Sequence, residues 1–344
     1  MPHLKSLIAL LLLLFVASCS KTESSKSPSE PKKDEKEEDR SDDVMTASAR
    51  HFRFDYGVKL SDVPKNAKVR IWFPVPQSSE HQTIREIDRQ IPGETKNTVE
   101  GKYQNRILYT ETKADESGAV HASVAYDVER KEIRLDSIKA EELPSQQRQL
   151  FLTANSKVPV DGLPVNMLGD LTPPKLPIEL ARTLYNRVGS HMRYDKSKPG
   201  YGNGDSVWAC QNGIGNCTDF HSLFITLARS QQLPARFEIG FPIPEETGKG
   251  SVGGYHCWAF FYDADRGWLP TDISEADKNP KMKSYYFGNL TANRVTFSVG
   301  RDIDLVPQQA AKPLNFFVYP HVEVDGEVWP KDKTGLSFSY QDVE

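Results

Sequence analysis

Aromatic or aliphatic residues alternate with polar ones from His51 to Val58, the period-two pattern of a strand with one buried face. Val69–Pro76 reads as a second strand, stopped by Pro74 and Pro76. Arg106–Thr110 and Val120–Val128 read as two more, separated by polar turns such as Asp115–Gly118. Short strands without helical periodicity predict a small β-sandwich-like domain over residues 47–140. Residues 141–177 are proline-rich and predict a connector. Ile178, Ala181, Leu184, Tyr185 and Val188 then recur at helical spacing, with Gly189 as a stop.

A stronger helix follows the loop Gly213-Ile214-Gly215-Asn216. Phe220, Leu223, Phe224, Leu227 and Ala228 fall at i, i+3, i+4, i+7 and i+8, and Gln231–Pro234 closes it. Beyond it, His256–Tyr262 and Trp268–Asp272 flank the turn Asp263–Gly267 and predict a hairpin. With Tyr262 opposite Trp268, His256 and Asp272 become diagonal neighbours at one end of it, unless a bulge at Gly267 shifts the register. Lys281–Gly288, Arg294–Asp302, Leu314–Pro320 and Val322–Gly326 continue strand-like, and are expected to complete the sheet of a second domain over residues 178–344. The predicted class is α+β: a helix packed on an antiparallel sheet, preceded by the sandwich-like domain. No internal repeat is visible.

The longest apolar run, Leu7–Val16, has about ten residues, half of the roughly 20 that a membrane-spanning helix needs. Lys5 precedes it and small residues follow, which predicts a signal peptide over residues 1–18. Val16-Ala17-Ser18-Cys19 resembles the bacterial lipobox. That resemblance implies lipidation of Cys19 and anchoring of the acylated N-terminus in a lipid bilayer. Ser20 rather than aspartate after it argues against inner-membrane retention. Residues 19–46 are polar and mixed in charge, so they predict a disordered tether. The expected location is therefore the bacterial cell envelope, lipid-anchored, at the outer membrane or the periplasmic face.

The chain has 344 residues, enough for two domains, and 43 Lys plus Arg against 47 Asp plus Glu, a net charge of −4. That balance gives no electrostatic footprint for nucleic acid. Four cysteines are too few for a disulfide scaffold.

The chemistry concentrates in three residues. Cys217 falls in the first turn of the strong helix, where unpaired N–H groups and the positive dipole end favour a thiolate. A nucleophilic cysteine needs a base, and the base an orienter; His256 and Asp272 supply those residue types. His221, one helical turn after Cys217, reads as a hydrogen-bonded structural histidine. Cys210, Cys217, His256 and Cys257 lack a CxxC pair, so neither a metal nor another cofactor is expected. Whether Cys210 and Cys257 pair stays open.

Gly215-Asn216-Cys217-Thr218-Asp219-Phe220, Leu233-Pro234-Ala235-Arg236, His256-Cys257-Trp258 and Gly267–Asp272 together resemble the transglutaminase-like core, over about residues 178–274. The resemblance implies a papain-like architecture, a Cys217-His256-Asp272 triad, and a thioester formed with an amide-bearing protein or peptide. Arg193-Tyr194-Asp195 is similar to the family's Arg-Trp-Asp stretch, which implies Tyr194 as an oxyanion donor. The acidic calcium loop of animal transglutaminases is not visible here. Hydrolysis is therefore slightly favoured over transamidation, and a non-catalytic binding module with a vestigial triad stands as the alternative.

Overall fold

The structure, a computed structural model, describes residues 48–343. The signal peptide, Cys19 and the whole tether lie outside the described residues. Among the described residues, no helix is long and apolar enough to cross a membrane.

Six strands open the described chain: β1 (Ala49–Leu60), β2 (Lys68–Val75), β3 (Gln82–Gln90), β4 (Glu94–Val99), β5 (Arg106–Lys113) and β6 (Val120–Lys131). The alternation in β1 buries Phe52, Phe54, Tyr56, Val58 and Leu60 on one face, as its period requires. β3 and β4 have no such alternation in sequence. They are mostly exposed edge strands, so polar residues suffice.

The helices are α1 (Ser145–Leu152), α2 (Pro177–His191), α3 (Ser206–Asn212), α4 (Cys217–Ser230) and α5 (Ile273–Lys278). Two-residue strands β7 (Arg193–Tyr194) and β8 (Ile214–Gly215) pair in parallel between them. α4 is buried from Cys217 to Arg229, not only along its apolar stripe. Its polar residues have internal partners: Thr226 Oγ1 lies 2.8 Å from Ser206 Oγ, and Arg229 donates to the carbonyls of Ala235 and Thr153 and to Asn155 Oδ1. Without those acceptors a buried guanidinium would be strongly destabilising.

α4 packs on an antiparallel sheet of β9 (Ala235–Pro242), β11 (His256–Asp263), β12 (Gly267–Thr271) and β13 (Arg294–Val299), in the order β12-β11-β9-β13. A short β10 (Lys249–Ser251) lies between β9 and β11 in sequence. Tyr262 pairs with Trp268 and Asp263 with Gly267, so the hairpin has the expected register without a bulge.

The C-terminal strands do not follow the sequence expectation. β14 (His321–Val324) pairs with β2 and with β15 (Glu327–Val328), and β16 (Thr334–Asp342) pairs with β1 and β10. Only β13 extends the four-stranded sheet under α4, whereas β14–β16 complete the two five-stranded sheets of the N-terminal half. Aromatic matching accounts for the β16 pairing. Phe338 reaches the Tyr56 ring at 5.0 Å and the Phe241 ring at 4.4 Å, covering apolar surface that β1 and β9 otherwise leave open. Residues 281–288 form a 3₁₀ turn and one isolated bridge rather than a strand. The proline-rich connector also holds α1 and a 3₁₀ turn over Leu163–Leu168.

Candidate active site

Cys217 occupies the first turn of α4 behind a double restraint. Asn216 caps the helix, its Oδ1 accepting from Thr218 N at 3.0 Å, and Asp219 reciprocates by accepting from Asn216 N at 2.9 Å. Asp219 also accepts from Gly202 N at 2.7 Å and Gly204 N at 2.9 Å, which ties the loop over residues 200–204 to the helix start. Burial pushes the Asp219 carboxyl up to about 6, against the pull of those backbone donors. Gly215 is required beside it: a Cβ there would lie 2.5 Å from Asp219 Cβ. The capping box is written in the sequence as Asn216 and Asp219, and this positioning carboxylate was missed when the motif was read only for its cysteine.

His256 opens β11, and Asp272 follows directly on β12 as the N-cap of α5. His256 Nε2 lies 2.7 Å from Asp272 Oδ2, and both side chains are buried. With Nε2–H donating to the carboxylate, Nδ1 is left free, and His256 lines the same cleft as Cys217, the thiol raising the pKa of His256 and His256 lowering that of the thiol. The structure thus brings Cys217, His256 and Asp272 together.

Asp272 is held on every side. Oδ2 also accepts from Arg294 Nη1 at 3.1 Å, and Oδ1 accepts from Ser274 Oγ at 3.1 Å and Glu275 N at 3.2 Å. Burial opposes its ionisation, but the His256 and Arg294 charges hold the carboxyl far below the usual range. Arg294 was not singled out from the sequence; an arginine opening a mostly buried strand is the signal that marks it. His256, Asp272 and Glu275 approach closely enough to share a cation, yet the Arg294 guanidinium already holds the same carboxylate oxygen.

The pKa shifts in this cluster run in opposite directions. Burial would lower His256, but the Asp272 charge and hydrogen bond and the nearby Cys217 raise it to about 10. Burial would raise Cys217, but hydrogen bonds from Cys257 and His256 and the His256 charge bring it well below the usual thiol range. Cys257 goes the other way, burial holding it as a thiol that donates to Cys217. His221 completes this chain. Burial pushes it down to about 4, so it is neutral; its Nε2 accepts from Ile273 N at 3.1 Å, and its Nδ1 lies 3.6 Å from Cys257 Sγ. Cys210, Cys217 and Cys257 are all free thiols; Cys210 sits half-buried on α3, away from this buried pair.

The β7–β8 pair carries Tyr194 beside Gly215, and the Tyr194 ring stacks on Phe220 at 6.5 Å. Burial raises its hydroxyl to about 12, so it stays a donor. Tyr194, Cys217, Tyr255, His256 and Tyr319 line a cleft of about 890 Å³, with Lys157, Lys196, Lys278 and Lys331 around it. Trp258 does not line it; it is buried, and its indole donates to Glu238 Oε2 at 3.2 Å.

Residues 165–273 match the model of the transglutaminase-like superfamily. The chain contains a transglutaminase-like core. A candidate cysteine protease from Cytophaga hutchinsonii superposes at a TM-score of 0.53, with 15% identity, over 86% of this chain and 99% of that one. An uncharacterised protein of Haemophilus influenzae is 29% identical over 313 residues, covering 77% of this chain and 84% of its own. The matched segment and the shared fold make this transglutaminase-like chain similar in architecture to papain-like cysteine proteases.

A thiolate stabilised in this way predicts a specific pH profile. Because the Cys217 pKa is lowered, its alkylation by iodoacetamide should stay nearly constant from pH 9 to pH 7. A free thiol with a pKa of about 8.5 slows roughly tenfold per unit on the acid side. The site-resolved rate, read by peptide mass spectrometry, checks this. A Cys217 profile that tracks a free thiol would contradict it.

Proposed function

We propose that the transglutaminase-like core hydrolyses amide bonds of proteins or peptides through a thioester on Cys217. The observation that carries this reading is the alignment of Cys217, His256 and Asp272 at the start of α4. The Cys217 thiolate attacks the amide carbonyl carbon, and the carbonyl electrons move onto oxygen. Backbone N–H groups at the start of α4 and the Tyr194 hydroxyl face that oxygen. His256, protonated, gives its proton to the leaving nitrogen as the C–N bond breaks. Water then attacks the thioester and passes a proton to His256, and the C–S bond breaks to release the carboxylic acid and restore the thiolate–imidazolium pair.

Charge supports water over an amine as the acceptor. An acceptor lysine would enter a cleft edged by Lys157, Lys196, Lys278 and Lys331, of which Lys278 is neutralised by Glu275 at 2.6 Å and Lys157 lies 3.8 Å from Asp205. Lys196 and Lys331 remain to repel a second ammonium. A glutamine-containing protein offered together with a fluorescent amine tests this: cleavage or ammonia release without amine incorporation is expected. Efficient incorporation would make the enzyme a transamidase instead.

The same proposal places the enzyme at the bacterial envelope, held by an acylated Cys19. Cys19→Ser should move the protein to the soluble fraction of a cell extract. Retention in the membrane fraction would place the anchor elsewhere.

A further inference from the structure

A second cavity, of about 340 Å³, lies on the far side of the catalytic sheet, between β6 and the β2–β3 loop on one side and β9 and β13 on the other. Arg130 on β6 lines it and is only 2% exposed. Its Nη1 donates to Gln82 Oε1 at 3.2 Å and, weakly, to Thr296 Oγ1 at 3.5 Å. Its buried Nε has no partner, and among the described residues no carboxylate pairs with it. Gln82 Oε1 is itself shared, accepting from Thr296 N at 2.9 Å.

The surrounding charges do not cancel it. Glu238 is nearest in charge, yet its Oε1 is 2.8 Å from Arg236 and its Oε2 accepts from Trp258. Arg236 also lines the cavity, and its Nε is a second buried donor without a partner. Arg294, stacked over Trp258 at 4.7 Å, adds repulsion but is engaged with Asp272. His81 lines the same wall; burial and the Arg130 charge push it down to about 4, so it is neutral. Glu80, Glu141 and Lys139 stand on the exposed rim, where water screens them. Around the cavity the buried Arg130 and the half-buried Arg236 thus face Glu238 alone, an imbalance of one positive charge. A buried unpaired ion is destabilising by several kcal/mol, and a bound anion removes that penalty.

The remaining walls are mixed, with Ser78, Asn105 and Ser298 among the polar residues and Phe260 and Trp268 among the apolar ones. Phe260 and Trp268 line the cavity, and the Arg236 guanidinium stacks over them at 4.7 and 4.4 Å. We propose that this cavity binds a small organic acid, its carboxylate against the free edge of Arg130 and its apolar body against Phe260 and Trp268. A guanidinium edge matches a carboxylate in two parallel hydrogen bonds, and a space of this size admits one ring-sized molecule. The site is separate from the cleft at Cys217 and does not depend on the reaction proposed there.

Thermal unfolding of the full chain with sodium benzoate at pH 7, against sodium chloride of equal ionic strength, tests the site. A saturable rise of about 2 °C or more at a tenfold excess over Kd is expected with benzoate only, and it should vanish in Arg130→Met. No saturable rise in the wild type would overturn the proposal, as would a rise that Arg130→Met retains. An equal rise with chloride means an adventitious ion only and also overturns it. If Arg130→Met does not fold, Lys139→Glu on the exposed rim decides: benzoate affinity should fall severalfold, and unchanged affinity would count against the site.

Discussion

Asp272→Ala is expected to lower turnover by about 10⁴-fold and to destabilise the fold by about 3–5 kcal/mol. Two losses coincide at this carboxylate. His256 loses the acceptor that fixes its Nε2–H, and Arg294 becomes a buried cation without its partner at 3.1 Å. The cap on Glu275 N at 3.2 Å is lost as well. Asp272→Asn separates the effects, since asparagine still caps a helix but carries no charge. It should keep most of the turnover defect with a smaller loss of stability. Substrate hydrolysis and urea midpoints measured on both variants check the pair. Near-wild-type turnover in Asp272→Asn would remove Asp272 from the mechanism.

The pH dependence of stability follows with its sign. His256 is raised, so its stabilising contribution is complete below the unfolded value of about 6.5 and is lost as pH rises through about 10. Asp272 is lowered, so its contribution is complete above about 3.9 and is lost as pH falls through its folded value. Both variants at Asp272 should flatten these limbs.

Cys217→Ala is expected to abolish turnover, by about 10⁴-fold or more, while leaving the fold intact. The side chain is small and buried, and the helix start is secured without it by Asn216 and Asp219. Removing the thiolate also relieves a buried negative charge, although His256 then keeps only its carboxylate neighbours Asp272 and Glu275. The thermal midpoint should move by only a few degrees. Undiminished hydrolysis in Cys217→Ala would return the chain to the reading of a binding module with an unused triad.

The parts of the site set by local sequence were legible. A helix preceded by glycines places Cys217 in its first turn, and two strands around a short turn place His256 and Asp272 at one end of a hairpin. Both follow from periodicity over a few residues. Long-range pairings were not legible. Period two marks Ser337–Gln341 no more strongly than the strands around it, and nothing local says that β16 seeks β1, nearly 300 positions earlier. The destination is decided by which edge leaves Phe54, Tyr56 and Phe241 uncovered, a property of the assembled sheets. Arg294 and Asp219 were passed over for a related reason. Their importance lies in partners brought by other elements, Asp272 for one and the backbone of residues 202–204 for the other.

The reading of this transglutaminase-like chain stands or falls with a covalent bond to one sulfur. Wild-type protein mixed with an activated glutamine-peptide ester, quenched in acid within seconds and mapped by peptide mass spectrometry, tests that bond directly. The acyl mass is predicted on Cys217 alone, removable by hydroxylamine and absent in Cys217→Ala. An acyl mass on Cys257 or Cys210, or hydrolysis that proceeds with no adduct on Cys217 at any quench time, would contradict it.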